Sequence, residues 1–276
     1  MSAAPPDDGP PRPAPPDDGP PRPAPPDDGP PRPAPPDGLD PGEAPFPVVY
    51  LDNHLLVVSK PPGLLAQGDA TGDADLVTLA KAYLKERFDK PGNVFVGLVH
   101  RLDRPTSGVV ALARTSKAAS RLSDQFRRRA VQKRYLAVVD GRLNGAGRRE
   151  DWLSSAGGEV AVVAEGAPGA RRAALSWRVL ASRADRTLVD VDLETGRKHQ
   201  IRVQLAALGA PVLGDFRYGN QTPFAGGRGI ALHAYRLTLE HPTRREPLTF
   251  TAPPPLAWGG LFDAEVAEAV GRGGAG

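Results

Sequence analysis

The stretch His100-Arg101-Leu102-Asp103-Arg104-Pro105-Thr106-Ser107-Gly108 sets one carboxylate between two arginines, just ahead of an apolar run over residues 109–113. Opposite charges held close favour the ionised form of an acid. An ionised Asp103 can act as a nucleophile or a base, but it is a poor proton donor. Arginine-flanked aspartates are also common surface ion pairs, so the stretch alone leaves catalysis and structure both open. Its surroundings speak to the fold. Residues 94–99 read as a strand entering the aspartate, and residues 109–113 as a strand leaving it.

Working upstream, residues 48–51 and 55–59 are short apolar runs around the turn Asp52-Asn53-His54, and Lys60-Pro61-Pro62-Gly63 breaks regular structure. Residues 76–88 carry Leu76, Leu79, Ala80, Tyr83 and Leu84 at helical spacing. Downstream, Ser116 can cap a helix that turns Ala119, Leu122 and Phe126 inward. Residues 134–139 alternate, with Tyr135, Ala137 and Val139 on one face. Residues 173–180 and 187–193 read as strands, the second with Val189, Val191 and Leu193 towards the core and Asp190 and Asp192 facing the other way. A short helix over residues 198–208 ends at Gly209, strands follow at 230–232 and 235–239, and a last helix spans about 261–270. Strands come in groups without regular helical alternation. That pattern predicts an α+β domain with a mixed, mainly antiparallel sheet and flanking helices.

Residues 1–44 stand apart. The decamer Ala-Pro-Pro-Asp-Asp-Gly-Pro-Pro-Arg-Pro starts at Ala4, Ala14 and Ala24, with a truncated copy from Ala34. Such a segment lacks the backbone donors for helix or sheet and the apolar side chains for a core, so it is expected to be an extended or disordered tail. The folded part is then residues 45–276. The tail holds nine acidic residues against three arginines, so a whole-chain net charge of +3 leaves +9 for the folded part. A basic domain with an acidic tail fits a polyanionic partner such as nucleic acid, although membrane-surface binding or solubility alone would give the same balance. The chain has no cysteine, which excludes disulfides and thiolate metal sites. It shows no apolar signal core and no run long enough to span a membrane, and the protein is expected to be cytoplasmic.

Four further segments join the opening stretch: Lys60-Pro61-Pro62-Gly63-Leu64, Lys133-Arg134-Tyr135-Leu136-Ala137, Thr195-Gly196-Arg197-Lys198-His199-Gln200-Ile201-Arg202, and Gly209-Ala210-Pro211-Val212-Leu213-Gly214-Asp215 with Tyr218-Gly219 after it. In this order and spacing the chain resembles the RluA-type family of RNA pseudouridine synthases, from residue 48 to about 253. The resemblance implies the pseudouridine synthase catalytic fold. It also implies isomerisation of a uridine within RNA: the N1–C1′ bond breaks, the uracil turns, and C5 rejoins the sugar, without metal or organic cofactor. It makes Asp103 the catalytic aspartate, Arg202 the arginine that pairs with it, and Tyr135 the tyrosine stacked on the target base. The rival reading of Tyr135 is a core residue of its alternating strand.

Arg101 is similar to the family's base-flipping arginine, with a structural ion pair as its rival. Leu232 corresponds to an apolar wall of the base pocket or to a plain core leucine. Lys60 and Arg197 fall in family motifs and are assigned to the substrate side, as structural or backbone-contacting residues. The run Arg127-Arg128-Arg129 with Lys133 and Arg134 can guide an RNA backbone or form a solvated face. His100 and His199 have no metal-ligand spacing and are expected to be hydrogen-bonded structural residues.

The chain departs from the family pattern at Gln204, where histidine is common, and it carries the Pro-rich tail where larger relatives carry an S4 domain. The implied partner is ribosomal or transfer RNA, bound by a monomer with no membrane. The Arg104-Pro105 pair tilts towards the branch that acts on tRNA. Two other classes remain open. A glycoside hydrolase would need a second carboxylate, for which Asp215 is the one candidate. A non-catalytic RNA-binding or RNA-folding protein would have no use for Asp103.

Overall fold

The computed structural model describes residues 44–156 and 158–272. The Pro-rich tail, apart from Ala44, lies outside them. Eleven strands form one sheet: β1 Val48–Leu51, β2 Leu55–Lys60, β3 Gly97–Leu98, β4 Ser107–Ala113, β5 Gln132–Asp140, β6 Ala146–Ser154, β7 Ala161–Val163, β8 Arg171–Arg183, β9 Arg186–Leu193, β10 Leu232–Glu240 and β11 Pro247–Thr251. The order is β1-β2-β4-β10-β5-β9-β8-β6-β7, with β3 beside β4 and β11 beside β10. Every pairing is antiparallel except β4 with β10, in which Ser107 and Gly108 lie opposite His233 and Ala234. The expected mixed, mainly antiparallel sheet is what forms.

Four helices cover both faces: α1 Leu76–Arg87, α2 Ser116–Arg127, α3 Gln200–Ala206 and α4 Asp263–Gly271. Helix α1 and α3 pack Leu76, Leu84, Ile201 and Leu205 against Val58, Val110, Ala137 and Val189. On the opposite face α2 meets Val57, Val109 and Ala111, and α4 lies beside a cluster of Leu136, Val138, Leu188 and Tyr235. Two-sided burial explains why β2 and β4 read as continuous apolar runs rather than alternating ones. It also revises the outlook of Asp190, which faces away from the first core as expected yet is buried beneath Arg134, Arg178 and Tyr235.

Local signals decide the ends. Asp75 caps α1 by accepting from the Val77 and Thr78 amides at 2.9 and 3.1 Å. Helix α2 is capped by Thr115, one residue before the Ser116 expected, because the Thr115 hydroxyl accepts from the Ala118 amide. The strand expected at 94–99 pairs only over β3. The two strands expected at 230–232 and 235–239 are one, β10, with an irregularity in its pairing between Ala234 and Arg236.

Gly108 makes the parallel pair possible. It sits at φ 124°, and a Cβ there would stand 2.3 Å from the Ala234 carbonyl oxygen. Gly108→Ala is therefore expected to cost about 3 kcal/mol or more. Urea unfolding reads this directly, and a wild-type midpoint would contradict it.

The buried His233 and the half-buried His100 lock the same region. His233 donates from Nε2 to the Ala252 carbonyl (3.0 Å) and accepts the Ser107 hydroxyl at Nδ1 (2.8 Å). His100 accepts the Ala111 amide at Nε2 (2.9 Å) and stacks on Phe126 at 4.5 Å. Burial pushes His233 down to about 4 and His100 to about 3, with the Lys133 charge adding to the effect on His100. Both are lowered in the folded state, so their stability contribution is complete above about pH 6.5 and is lost as pH falls towards 4 and below. Each is worth on the order of 3–5 kcal/mol over that window. The urea midpoint is expected to fall steadily between pH 7 and pH 4, and a flat profile would contradict the assignment.

Candidate active site

The aspartate turn is held from three sides. The Thr106 amide donates to the Asp103 carbonyl at 3.0 Å, the Gly63 amide to the Arg104 carbonyl at 2.8 Å, and the Ile230 amide to the Pro105 carbonyl at 3.2 Å. Lys60, fully buried, donates from Nζ to the carbonyls of Pro61, Leu64 and Arg104 at 2.9, 2.8 and 3.2 Å. This corrects its assignment to the substrate side. An ammonium with three carbonyl partners beneath the surface has no donor left for RNA, and Lys60 instead clamps the turn. Burial, the largest influence, pulls the Lys60 ammonium down to about 7.

The arginines beside Asp103 in sequence are not its partners in space. Arg104 turns away to the Gly63 carbonyl (3.0 Å) and the Asp73 carboxylate (2.7 Å). Arg101 is exposed at the mouth of the site, with no ion pair among the described residues. The charge facing Asp103 is Arg202 of α3, whose Nη1 donates to Asp103 Oδ2 at 3.3 Å. Arg202 is itself fixed by Asp215, with Nε to Oδ2 at 2.6 Å and Nη2 to Oδ1 at 2.8 Å. Burial opposes the guanidinium charge, but the hydrogen bonds and charge of Asp215, with those of Asp103, more than offset it. One guanidinium thus bridges two carboxylates. Asp215 is 1% exposed and spends both oxygens on Arg202, so it cannot serve as the free acid that a glycosidase pair requires.

Beside this triad His199 opens α3 at φ 55°, a left-handed conformation costly for a non-glycine residue. Its Nδ1 lies 2.7 Å from the Tyr218 hydroxyl, and its Nε2 is 3.9 Å from Asp103 Oδ2. Burial chiefly lowers this imidazole, against the pull of Asp103. The Tyr218 ring in turn lies under Arg202, 5.0 Å from centroid to guanidinium carbon. The roles of Asp215 and Tyr218 had no clear sequence signal beyond the Gly214-Asp215 and Tyr218-Gly219 pairs. A buried arginine has more donors than one carboxylate can take, and that excess was the available hint.

The cavity above these groups has a volume of about 590 Å³ and sits at the start of the parallel β4–β10 pair. Tyr135 and Leu232 line it, from β5 and β10, and are 8% and 3% exposed. Both also belong to the core cluster, so pocket wall and core residue describe the same side chains. Burial, and then the Asp103 charge, push the Tyr135 hydroxyl well above its usual range, so it is a neutral phenol. Arg197 lines it too, with Nε donating to the Arg172 carbonyl at 3.0 Å. Gln204 is a fully buried structural residue that donates to Asp151 and the Ala173 carbonyl. Asp103, Tyr135, Arg202, Arg101, Leu232 and Arg197 therefore meet at one cavity, and Lys60 alone of the sequence candidates does not. Among the described residues no cluster of three or more histidine, aspartate or glutamate side chains could hold a metal ion, and no helix is long and apolar enough to cross a membrane.

The family model described as RNA pseudouridylate synthase matches residues 54–207. The chain is 37% identical over 228 residues to the ribosomal large subunit pseudouridine synthase D of Xanthomonas campestris, covering 77% of this chain and 67% of that one. It is 35% identical over 212 residues to the dual-specificity RNA pseudouridine synthase RluA of Haemophilus influenzae, covering 74% and 91%. Among solved structures, human RNA pseudouridylate synthase domain containing 1 superposes with a TM-score of 0.59 at 27% identity, over 79% of this chain and 87% of that one.

Proposed function

Because this chain belongs to the RluA-type family of RNA pseudouridine synthases, we propose that it isomerises a uridine of structured RNA to pseudouridine with Asp103 as the catalytic carboxylate. The observation that carries this reading is the single ionisable oxygen pair of Asp103 at the cavity floor, met by one NH of Arg202 at 3.3 Å while Asp215 takes the other two. Arg202 is thereby anchored elsewhere, and Asp103 keeps an oxygen for chemistry.

The target nucleotide leaves its helix, at a cost of a few kcal/mol, and enters the cavity. Stacking on Tyr135 and contact with Leu232 offset part of that cost, roughly 1–3 kcal/mol for the base. Arg101, exposed at the mouth, fills the space left in the RNA. Asp103 then attacks C1′, or takes a proton from the sugar, as the N1–C1′ electron pair leaves on the uracil. The uracil turns and its C5 bonds to C1′ as the Asp103–C1′ bond breaks or, on the second route, as Asp103 returns the proton to the sugar. The C5 proton then leaves to solvent while N1 takes one up. Tyr135 takes part as a phenol rather than a phenolate.

The RNA is ribosomal or transfer RNA, and large-subunit ribosomal RNA is the first candidate because the first relative bears that name. Transfer RNA is the second candidate, on the Arg104-Pro105 pair. The protein works in the cytoplasm. The test is release of tritium from [5-³H]uridine-labelled large-subunit RNA by purified protein. Release that requires Asp103 supports the reading. Binding without release would favour an RNA-folding protein.

A further inference from the structure

The basic run next to Tyr135 divides into two sets. Arg127 and Arg128 pair with Asp124, and Arg134 pairs with Asp190 on the opposite face of the sheet. Arg129 and Lys133 do otherwise. Lys133 shares a strand face with Tyr135 two residues on, which carries its ammonium to the cavity. There it lies along Gly196, where an added Cβ would stand 3.6 Å from Nζ, so a side chain at that position would occupy the approach. Arg129 ends α2 at φ 59°, in the left-handed position usually held by glycine, and it too lines the cavity. Arg197 completes the group from the segment before α3. Among the described residues none of the three has a carboxylate within ion-pair distance.

We propose that Arg129, Lys133 and Arg197 form a seat for one phosphodiester of the RNA strand beside the extruded uridine. This rests on the reading of the cavity as the uridine pocket. Three cations gathered with no carboxylate in ion-pair contact repel one another, and a strained backbone at Arg129 adds to the cost. A bound phosphate supplies the missing charge, and its non-bridging oxygens accept from all three. The repulsion is visible in the groups themselves. Burial, and then Arg129 and Arg197, bring the Lys133 ammonium down to about 8 against the opposing pull of Asp192. Arg197 is lowered by burial and by Arg129 and Arg171. The groups facing Lys133 are Arg129, Arg197, Asp192 and the neutral His100 ring.

The probe is a fluorescein-labelled 17-nucleotide stem-loop RNA with uridines in its loop. Its affinity is read by anisotropy from 50 to 300 mM KCl, in the full chain carrying Asp103→Asn to prevent turnover. One phosphate contributes about 0.7–0.9 to the slope of log affinity against log salt. The variant with Arg129→Gln, Lys133→Gln and Arg197→Gln together is expected to lose about that much slope, and about 5-fold or more in affinity at 100 mM salt. Arg128→Gln is expected to change neither. A triple loss near two or three in slope would mean scattered contacts to separate phosphates and would overturn the single seat. No loss would overturn it as well.

A second measurement does not depend on deletion of charge. Affinity is expected to weaken as pH rises from 7 to 9, and Lys133→Arg is expected to bind as tightly while abolishing that dependence. Persistence of the dependence in Lys133→Arg would contradict the seat. Pseudouridine formation with an unaltered triple-variant slope sinks this inference alone. Failure of the chain to bind RNA sinks the uridine-isomerase reading with it.

Discussion

Asp103→Asn is expected to abolish pseudouridine formation, by about 10⁴-fold or more, while RNA binding and stability stay close to those of the unaltered chain. The substitution keeps shape and removes the anion. Arg202 loses a 3.3 Å hydrogen bond to a charged partner but keeps both bonds to Asp215, so the guanidinium remains charged, paired and in place. What disappears is the group that can bond to C1′ or remove a sugar proton. A residual rate within tenfold of normal would mean that another side chain performs the first step. His199, 3.9 Å away, would be the group to examine next.

Arg202→Ala is expected to fail in two separable ways. Turnover falls because Asp103 loses its counter-charge and its orientation. Stability falls as well, by about 3–5 kcal/mol, because Asp215 is left as a buried carboxylate with no cation. The double variant with Asp215→Asn should recover most of the stability and none of the turnover. Asp215→Asn alone keeps Arg202 but weakens its anchor, leaving the guanidinium free to close fully onto Asp103. A 10–100-fold loss in kcat with little change in KM is then expected, of the size seen when a supporting partner of an active group is removed. Thermal melts with single-turnover kinetics separate these cases. A stable, inactive Arg202→Ala would show that Asp215 finds another partner.

Much of this site was legible in the sequence because motif order carries it. Asp103, Tyr135, Arg202 and Leu232 lie on four different elements, and the fold brings them to one cavity. What proximity along the chain could not give was the partner of the aspartate. Consecutive residues in a turn point in different directions, so Arg104 reaches Asp73 while Arg202, 99 residues on, reaches Asp103. Lys60 was left open between a structural and a backbone-contacting role on the substrate side for a related reason. A lysine in a loop motif looks like a phosphate contact until the three carbonyls around it are seen.

The fold was legible where both sheet faces are buried, as in β2, β4 and β9. Strands β6, β7 and β11 were missed. In β6 the sequence Arg148-Arg149-Glu150-Asp151 is all charge; Glu150 pairs with Arg172 on the neighbouring β8, and Arg148 reaches Glu194 just past the end of β9. Apolar periodicity has nothing to register in such a strand.

The most direct test of Asp103 as the centre of a uridine isomerase is pseudouridine mapping by carbodiimide labelling across the RNA of cells with and without this gene. The expected result is a uridine, first sought in large-subunit ribosomal RNA, that loses its label on deletion and regains it with the unaltered gene but not with Asp103→Ala. Full restoration by Asp103→Ala would contradict the mechanism.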